Sequence, residues 1–134
     1  MSATPEMLRT HPATRRSDTG ALAEALDTLT ECAQTCTTCA DACLAEEMVA
    51  DLRRCIRLNL DCADLCEATA RVLVRATEPD LGFQRQLIEA CLAACAACAE
   101  ECDRHAGMHE HCRVCAEVCR RCERACRELL DSAA

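Results

Sequence analysis

Cys112, Cys115, Cys119, Cys122 and Cys126 advance by three, four, three and four residues, so on a helix of 3.6 residues per turn their sulfurs form one stripe. The same stepping recurs at Cys91, Cys95, Cys98 and Cys102, at Cys32, Cys36, Cys39 and Cys43, and with one gap at Cys55, Cys62 and Cys66. Thiols three or four apart on a helix have Cβ atoms about 5–6 Å apart, close enough for two to clasp one ion. Facing helices at about 8–10 Å add third ligands and bridges. The pattern suits many metal ions in a row.

Softness and charge select the ion. Thiolate-rich sites favour Cu(I), Zn(II) and iron–sulfur clusters. A Zn(II) in four thiolates keeps two negative charges, whereas about one Cu(I) per thiolate leaves the column nearly neutral, and uncompensated buried charge costs several kcal/mol per ion. A long buried column therefore favours a monovalent soft ion at high stoichiometry. His105 continues the stripe of Cys102, and His109 and His111 stand shortly before Cys112 and Cys115. With Met48, seven residues before Cys55, they read as an access port for Cu(I), against the plainer reading of solvated or packed side chains.

Other chemistries fit less well. A zinc or general soft-metal detoxification protein remains the alternative, since sixteen thiolates divide into fours. A thiol–disulfide enzyme would place its CxxC at a helix N-terminus in a βαβ context, but Cys36/Cys39, Cys95/Cys98, Cys112/Cys115 and Cys119/Cys122 are mid-helix or repeated. Ferredoxin spacing with proline after the last cysteine is missing. Cysteines stacked on one helix face are poorly aimed for disulfides. No hydrolase, transferase or nucleotide motif is present, and the chain is read as non-enzymatic.

Four helices must position the stripes. The first is expected from Thr19 or Gly20, capped by Asp18 or Thr19, to about Glu46. Twelve residues separate Cys43 from Cys55, which would set them about 120° apart on one helix, so a turn is expected near Glu46 to Val49. The second helix runs from about Val49 to Thr77 with Cys55, Asn59, Cys62 and Cys66 inward, Asn59 being read as a hydrogen-bonded core amide. Glu78, Pro79, Asp80 and Gly82 form the next turn. A third helix carries Leu81, Phe83, Leu87 and Cys91 to Cys102, Gly107 breaks the junction, and a fourth spans roughly His109 to Asp131. Short connections predict an all-α, antiparallel up-down-up-down four-helix bundle with a cysteine-lined core. An apolar plug of Leu22, Leu26, Leu29, Leu73, Leu81, Phe83, Leu87, Leu129 and Leu130 is expected at one end, with Met48, Met108 and the histidines at the other.

Composition agrees. The chain of 134 residues has 16 Cys, 3 Gly, 3 Pro, one Phe and neither Trp nor Tyr, which speaks for helices. Larger aliphatics make up only about a fifth of the residues, so protonated cysteines must serve as small hydrophobes. Net charge is −8, and all 15 basic residues are arginines scattered among 23 acids. Without a basic stripe or stacking aromatics, nucleic acid is excluded as a partner. Arg53, Arg54, Arg57, Glu100, Glu101, Arg120 and Arg121 fall off the stripes and read as a solvated or subunit-contact face. Residues 1–18, polar with Pro5 and Pro12, read as a flexible arm, and 19–134 as the metal-storage domain. Arg15-Arg16 is followed by Asp18, Glu24 and Asp27 instead of an apolar run, and no stretch is apolar enough for a membrane span, so a cytoplasmic location with reduced thiols is expected.

The in-phase CxxC and CxxxC stepping on four helices, the histidine cluster between the last two and the lack of a leader make the chain resemble the bacterial cytosolic copper storage proteins over residues 20–131. The resemblance implies that all sixteen cysteines ligate Cu(I), many ions per chain, and that His105, His109 and His111, with Met48, form the mouth. It also implies a homotetramer. Copper ions are the expected partner, with a copper chaperone as a candidate for delivery. Helix two departs from dense cysteine spacing at Asn59 and beyond Cys66, a wall expected to hold less metal.

Overall fold

The computed structural model describes residues 2–14 and 19–132, and among them there is no strand. In chain order come α1 (Thr4–Thr10), α2 (Thr19–Leu44), a 3₁₀ turn at Val49–Leu52, α3 (Arg53–Leu73), α4 (Leu81–His105) and α5 (Glu110–Ser132). The break expected after Cys43 is present: residues 45–48 turn, and the chain re-enters through the 3₁₀ segment, which seats Leu52 at 0 % exposure. Asp18 lies outside the described residues. α3 ends at Leu73, earlier than the expected Thr77. The Asp80 carboxylate accepts the Phe83 N–H at 3.0 Å and starts α4. Glu78, ahead of Pro79, takes φ 47°, a left-handed residue in the turn between α3 and α4.

The four long helices close a ring, α2 against α3, α3 against α4, α4 against α5 and α5 against α2. Their inward faces carry cysteine and alanine, small enough to let the axes approach. The core begins with Leu26, Leu29, Leu73 and Ile88 and continues into the sulfurs. Three expectations change here. Leu81 and Phe83 are exposed, and the inward residue one step before Cys91 is Ile88, with Leu87 only half-buried. Steps of three and of four from Cys91 both stay near the stripe, and the packing of the bundle takes Ile88 inward. Met108 is likewise exposed.

Part of the N-terminal segment is helical. Pro5 sits in the first turn of α1, where a missing N–H costs nothing, and Leu8 is buried against the core. Ser2 Oγ and Thr4 Oγ1 donate to the Asp27 carboxylate on α2 at 2.8 and 3.1 Å.

Candidate metal centre

All sixteen cysteines are free and buried. They descend four helix faces into one column, most of whose sulfurs lie within 4.0 Å of another. Cys91 and Cys122 reach Cys66 at 3.8 and 3.7 Å, and Cys62 and Cys66 reach Cys95 at 3.7 and 3.6 Å. Cys32 meets Cys62 at 3.9 Å and Cys36 at 3.8 Å, and Cys36 meets Cys119 at 3.4 Å and Cys98 at 3.9 Å. Cys55 lies 3.7 Å from Cys102, and Cys39 lies 4.0 Å from Cys112.

The sulfurs gather into overlapping sets whose ligand atoms lie within 4.8 Å of one another: Cys32, Cys66, Cys95 and Cys122; Cys32, Cys36, Cys62 and Cys119; Cys36, Cys98, Cys115 and Cys119; Cys39, Cys102 and Cys115; and Cys39, Cys43, Cys112 with His111. Cys32, Cys36, Cys39, Cys115 and Cys119 each belong to two sets. Sulfurs shared between neighbouring sets make the column one continuous array of potential soft-metal ligands.

Asn59 occupies the gap in the α3 stripe at 0 % exposure. Its Oδ1 accepts from the thiols of Cys98 at 3.0 Å, Cys115 at 3.1 Å and Cys102 at 3.6 Å, and its Nδ2 donates to Cys55 Sγ at 3.6 Å. The expected core amide is therefore a hub for four cysteines from three helices.

Nitrogen and carboxylate appear at the mouth. His111 Nδ1 lies 3.4 Å from Cys39 Sγ and 3.7 Å from Cys112 Sγ, while its Nε2 lies 2.9 Å from Glu46 Oε2. His109 Nδ1 lies 3.1 Å from the same oxygen, and the two rings stack with centroids 5.6 Å apart. His105 Nε2 turns to Glu101 Oε2 at 2.9 Å. Met48 stands 39 % exposed ahead of the 3₁₀ turn. Cys39 and His111 also line a cleft of about 610 Å³ that reaches Asp27, Gln34 and Val114 on α2 and α5.

Glu101 overturns one expectation. It is not a solvated residue but is 7 % exposed, held by His105 and, at 3.5 Å, by Arg54. Its place four residues before His105 was a legible signal, because such a pair shares a helix face. Glu46 is the residue that spacing could not reveal, its imidazole partners lying more than sixty residues along the chain.

Desolvation pushes the Cys43 thiol up from 9.0 to about 11 and the Cys112 thiol up as well. Deeper in, hydrogen bonding with Cys115 pushes Cys36 and Cys102 up, and with Cys122 does the same to Cys95. Cys119 first holds Cys32 and Cys62 down, Cys122 holds Cys91 down and Cys102 holds Cys115 down.

The sequence pattern of the copper storage proteins matches residues 18–131. A copper storage protein of Streptomyces lividans loaded with 10 copper equivalents is similar with TM-score 0.92 and 56 % identity, covering 96 % of this chain and 98 % of that one. A cytosolic copper storage protein of the same organism, solved with five coppers, gives TM-score 0.82 and 59 % identity over 84 % of this chain and 93 % of that one. The cysteine-rich protein YhjQ of Bacillus subtilis (strain 168) is 34 % identical over 104 residues, 78 % of this chain and 91 % of its own. With a match over nearly its whole helical length, this chain belongs to the copper storage protein family.

Proposed function

We propose that the chain is a non-enzymatic cytoplasmic store that holds many Cu(I) ions on Cys32 to Cys126, with His105, His109, His111 and Met48 at the way in. The observation that carries this reading is the sharing of sulfurs between neighbouring sets. Discrete tetrahedral zinc sites would each want four thiolates of their own, whereas bridging thiolates with a monovalent ion approach one charge per charge and leave a buried column near neutral. Each Cu(I) that binds replaces a thiol proton.

The topology inferred with it is the up-down-up-down four-helix bundle. Early α3 meets late α4 at Cys55 and Cys102, and late α3 meets early α4 at Cys66 and Cys91, as antiparallel neighbours do. No helix among the described residues is long and apolar enough to cross a membrane. Residues 19–134 form the storage domain in this reading. The family resemblance supports a homotetramer, to be checked by light scattering.

Anaerobic titration of the reduced protein with Cu(I) against a chromophoric Cu(I) chelator tests the reading. Retention of about one Cu(I) or more per cysteine before the chelator colours is expected. Uptake of a few ions, or their complete loss to the chelator, overturns it. The sulfur contacts of 3.4–4.0 Å also bracket the edge of a zinc tetrathiolate, about 3.8 Å for bonds of about 2.3 Å. Cobalt(II)-thiolate spectra saturating near four ions would favour that alternative. Helicity should persist when copper is removed, because neutral thiols pack as small hydrophobes.

A further inference from the structure

The two histidines nearest the outermost sulfurs share a single carboxylate oxygen, Oε2 of Glu46. An ionised carboxylate only accepts hydrogen bonds, so the nitrogens that face it carry the protons. The neutral rings are then held as opposite tautomers, Nε2–H in His111 and Nδ1–H in His109. Lone pairs are left on His111 Nδ1, which lies beside Cys39 and Cys112, and on His109 Nε2, which is buried with no hydrogen-bond partner among the described residues. A buried nitrogen without a partner needs a reason, and a soft cation on its way to the sulfurs supplies one.

Resting on the storage reading above, we propose that Glu46 is a positioning residue for copper loading, fixing with one oxygen the tautomers of His109 and His111 so that both lone pairs are free for Cu(I). Metal-ligating imidazoles are oriented in this way when their second nitrogen donates to a carboxylate. Here one carboxylate serves two rings. Glu46 stands in the turn after α2, its backbone N–H bonded to the Cys43 carbonyl at 3.2 Å, and reaches across to the start of α5. Cys43 and Cys112, brought together with Cys39 and His111, lie at the two ends this contact joins. The ion then meets imidazole nitrogen before it meets the first thiolate set.

The tautomers are read in the copper-free protein by long-range nitrogen–proton NMR, and the loading rate by stopped-flow transfer of Cu(I) from a chromophoric chelator. The wild type should show Nε2–H at His111 and Nδ1–H at His109. Glu46→Ala should lose both preferences and slow the first loading phase by about tenfold or more, within the range that removal of such an outer partner costs. Glu46→Gln, which keeps the shape and one acceptor oxygen, should fall between the two, and it carries the test if the alanine variant loses helicity. Other tautomers in the wild type, or a loading rate in Glu46→Ala within twofold of wild type, overturn the proposal. A strap that only fastens the turn to α5 would lower Tm without moving the rate. Failure of the storage reading looks different: the wild type itself would retain few Cu(I) at equilibrium, whatever its tautomers.

Discussion

The aliphatic part of the core and the mouth are built on the same four helices, yet they solve different problems. Around Leu26, Leu29, Leu73 and Ile88 the side chains are large, apolar and without chemistry, and Leu8 of α1 joins the same core. At the other limit, Cys39, Cys43 and Cys112 meet His111, and carboxylates replace leucines as neighbours. Residue for residue, burial of a larger aliphatic stabilises more than burial of a cysteine. The column gains less from packing and keeps its sulfurs available. Storage capacity and fold stability are therefore assigned to different stretches of the same stripes.

That division can be broken most severely at Leu29, which is fully buried. Leu29→Ala should lower unfolding free energy in urea by about 3 kcal/mol through lost transfer energy and the cavity left behind. Copper capacity in the chelator titration should be that of the wild type. A loss of capacity alongside would show that the aliphatic part also shapes the metal sites.

Asn59 lies between the two regimes, a polar group inside the column. Asn59→Ala leaves the thiols of Cys98, Cys115 and Cys102 without their oxygen acceptor and should cost about 1 kcal/mol in the copper-free protein, the low end for orphaned donors because thiols donate weakly. Urea unfolding measures it. The same variant should be closer to the wild type when copper-loaded, since metal removes those donors' protons.

Alkali sharpens the comparison at the mouth. The Cys43 thiol is raised in the folded protein from 9.0 to about 11, so between these values the unfolded chain gives up its proton while the folded chain keeps it. The unfolded state then binds fewer protons, and stability of the copper-free protein should fall as pH rises through that window. Thermal melts from pH 8 to about 11 test the sign. Cys43→Ser should flatten the slope.

The smallest effect is expected in the turn between α3 and α4. Glu78 holds φ 47°, a conformation that costs a side-chain-bearing residue about 1–2 kcal/mol. Glu78→Gly relieves this and adds unfolded-chain entropy, for a net gain of about 0.5 kcal/mol in urea unfolding. Copper binding should not respond, since the turn adjoins the aliphatic part.

Much of the site was legible because its spacing is intrahelical. The i, i+3, i+4 stepping places a sulfur stripe on each helix whatever the helices later do, and the mismatch of phase between Cys43 and Cys55 required a break that the structure has at residues 45–48. Leu87 was chosen over Ile88 because both are apolar and only the packed phase distinguishes them. Helix α1 had its signals, proline in the first turn and an apolar Leu8, but a segment of seven residues is too short to be stable without the surface it docks on.

By itself, then, the amino-acid sequence determined helices, sulfur stripes and a soft-metal chemistry, since each follows from spacing along one helix and from the nature of a thiol. Tertiary structure decided which stripes share sulfurs, that Asn59 serves cysteines from three helices, and that Glu46 holds two imidazoles more than sixty residues away. Those are contacts between helices, and a period along the chain carries no information about what faces it.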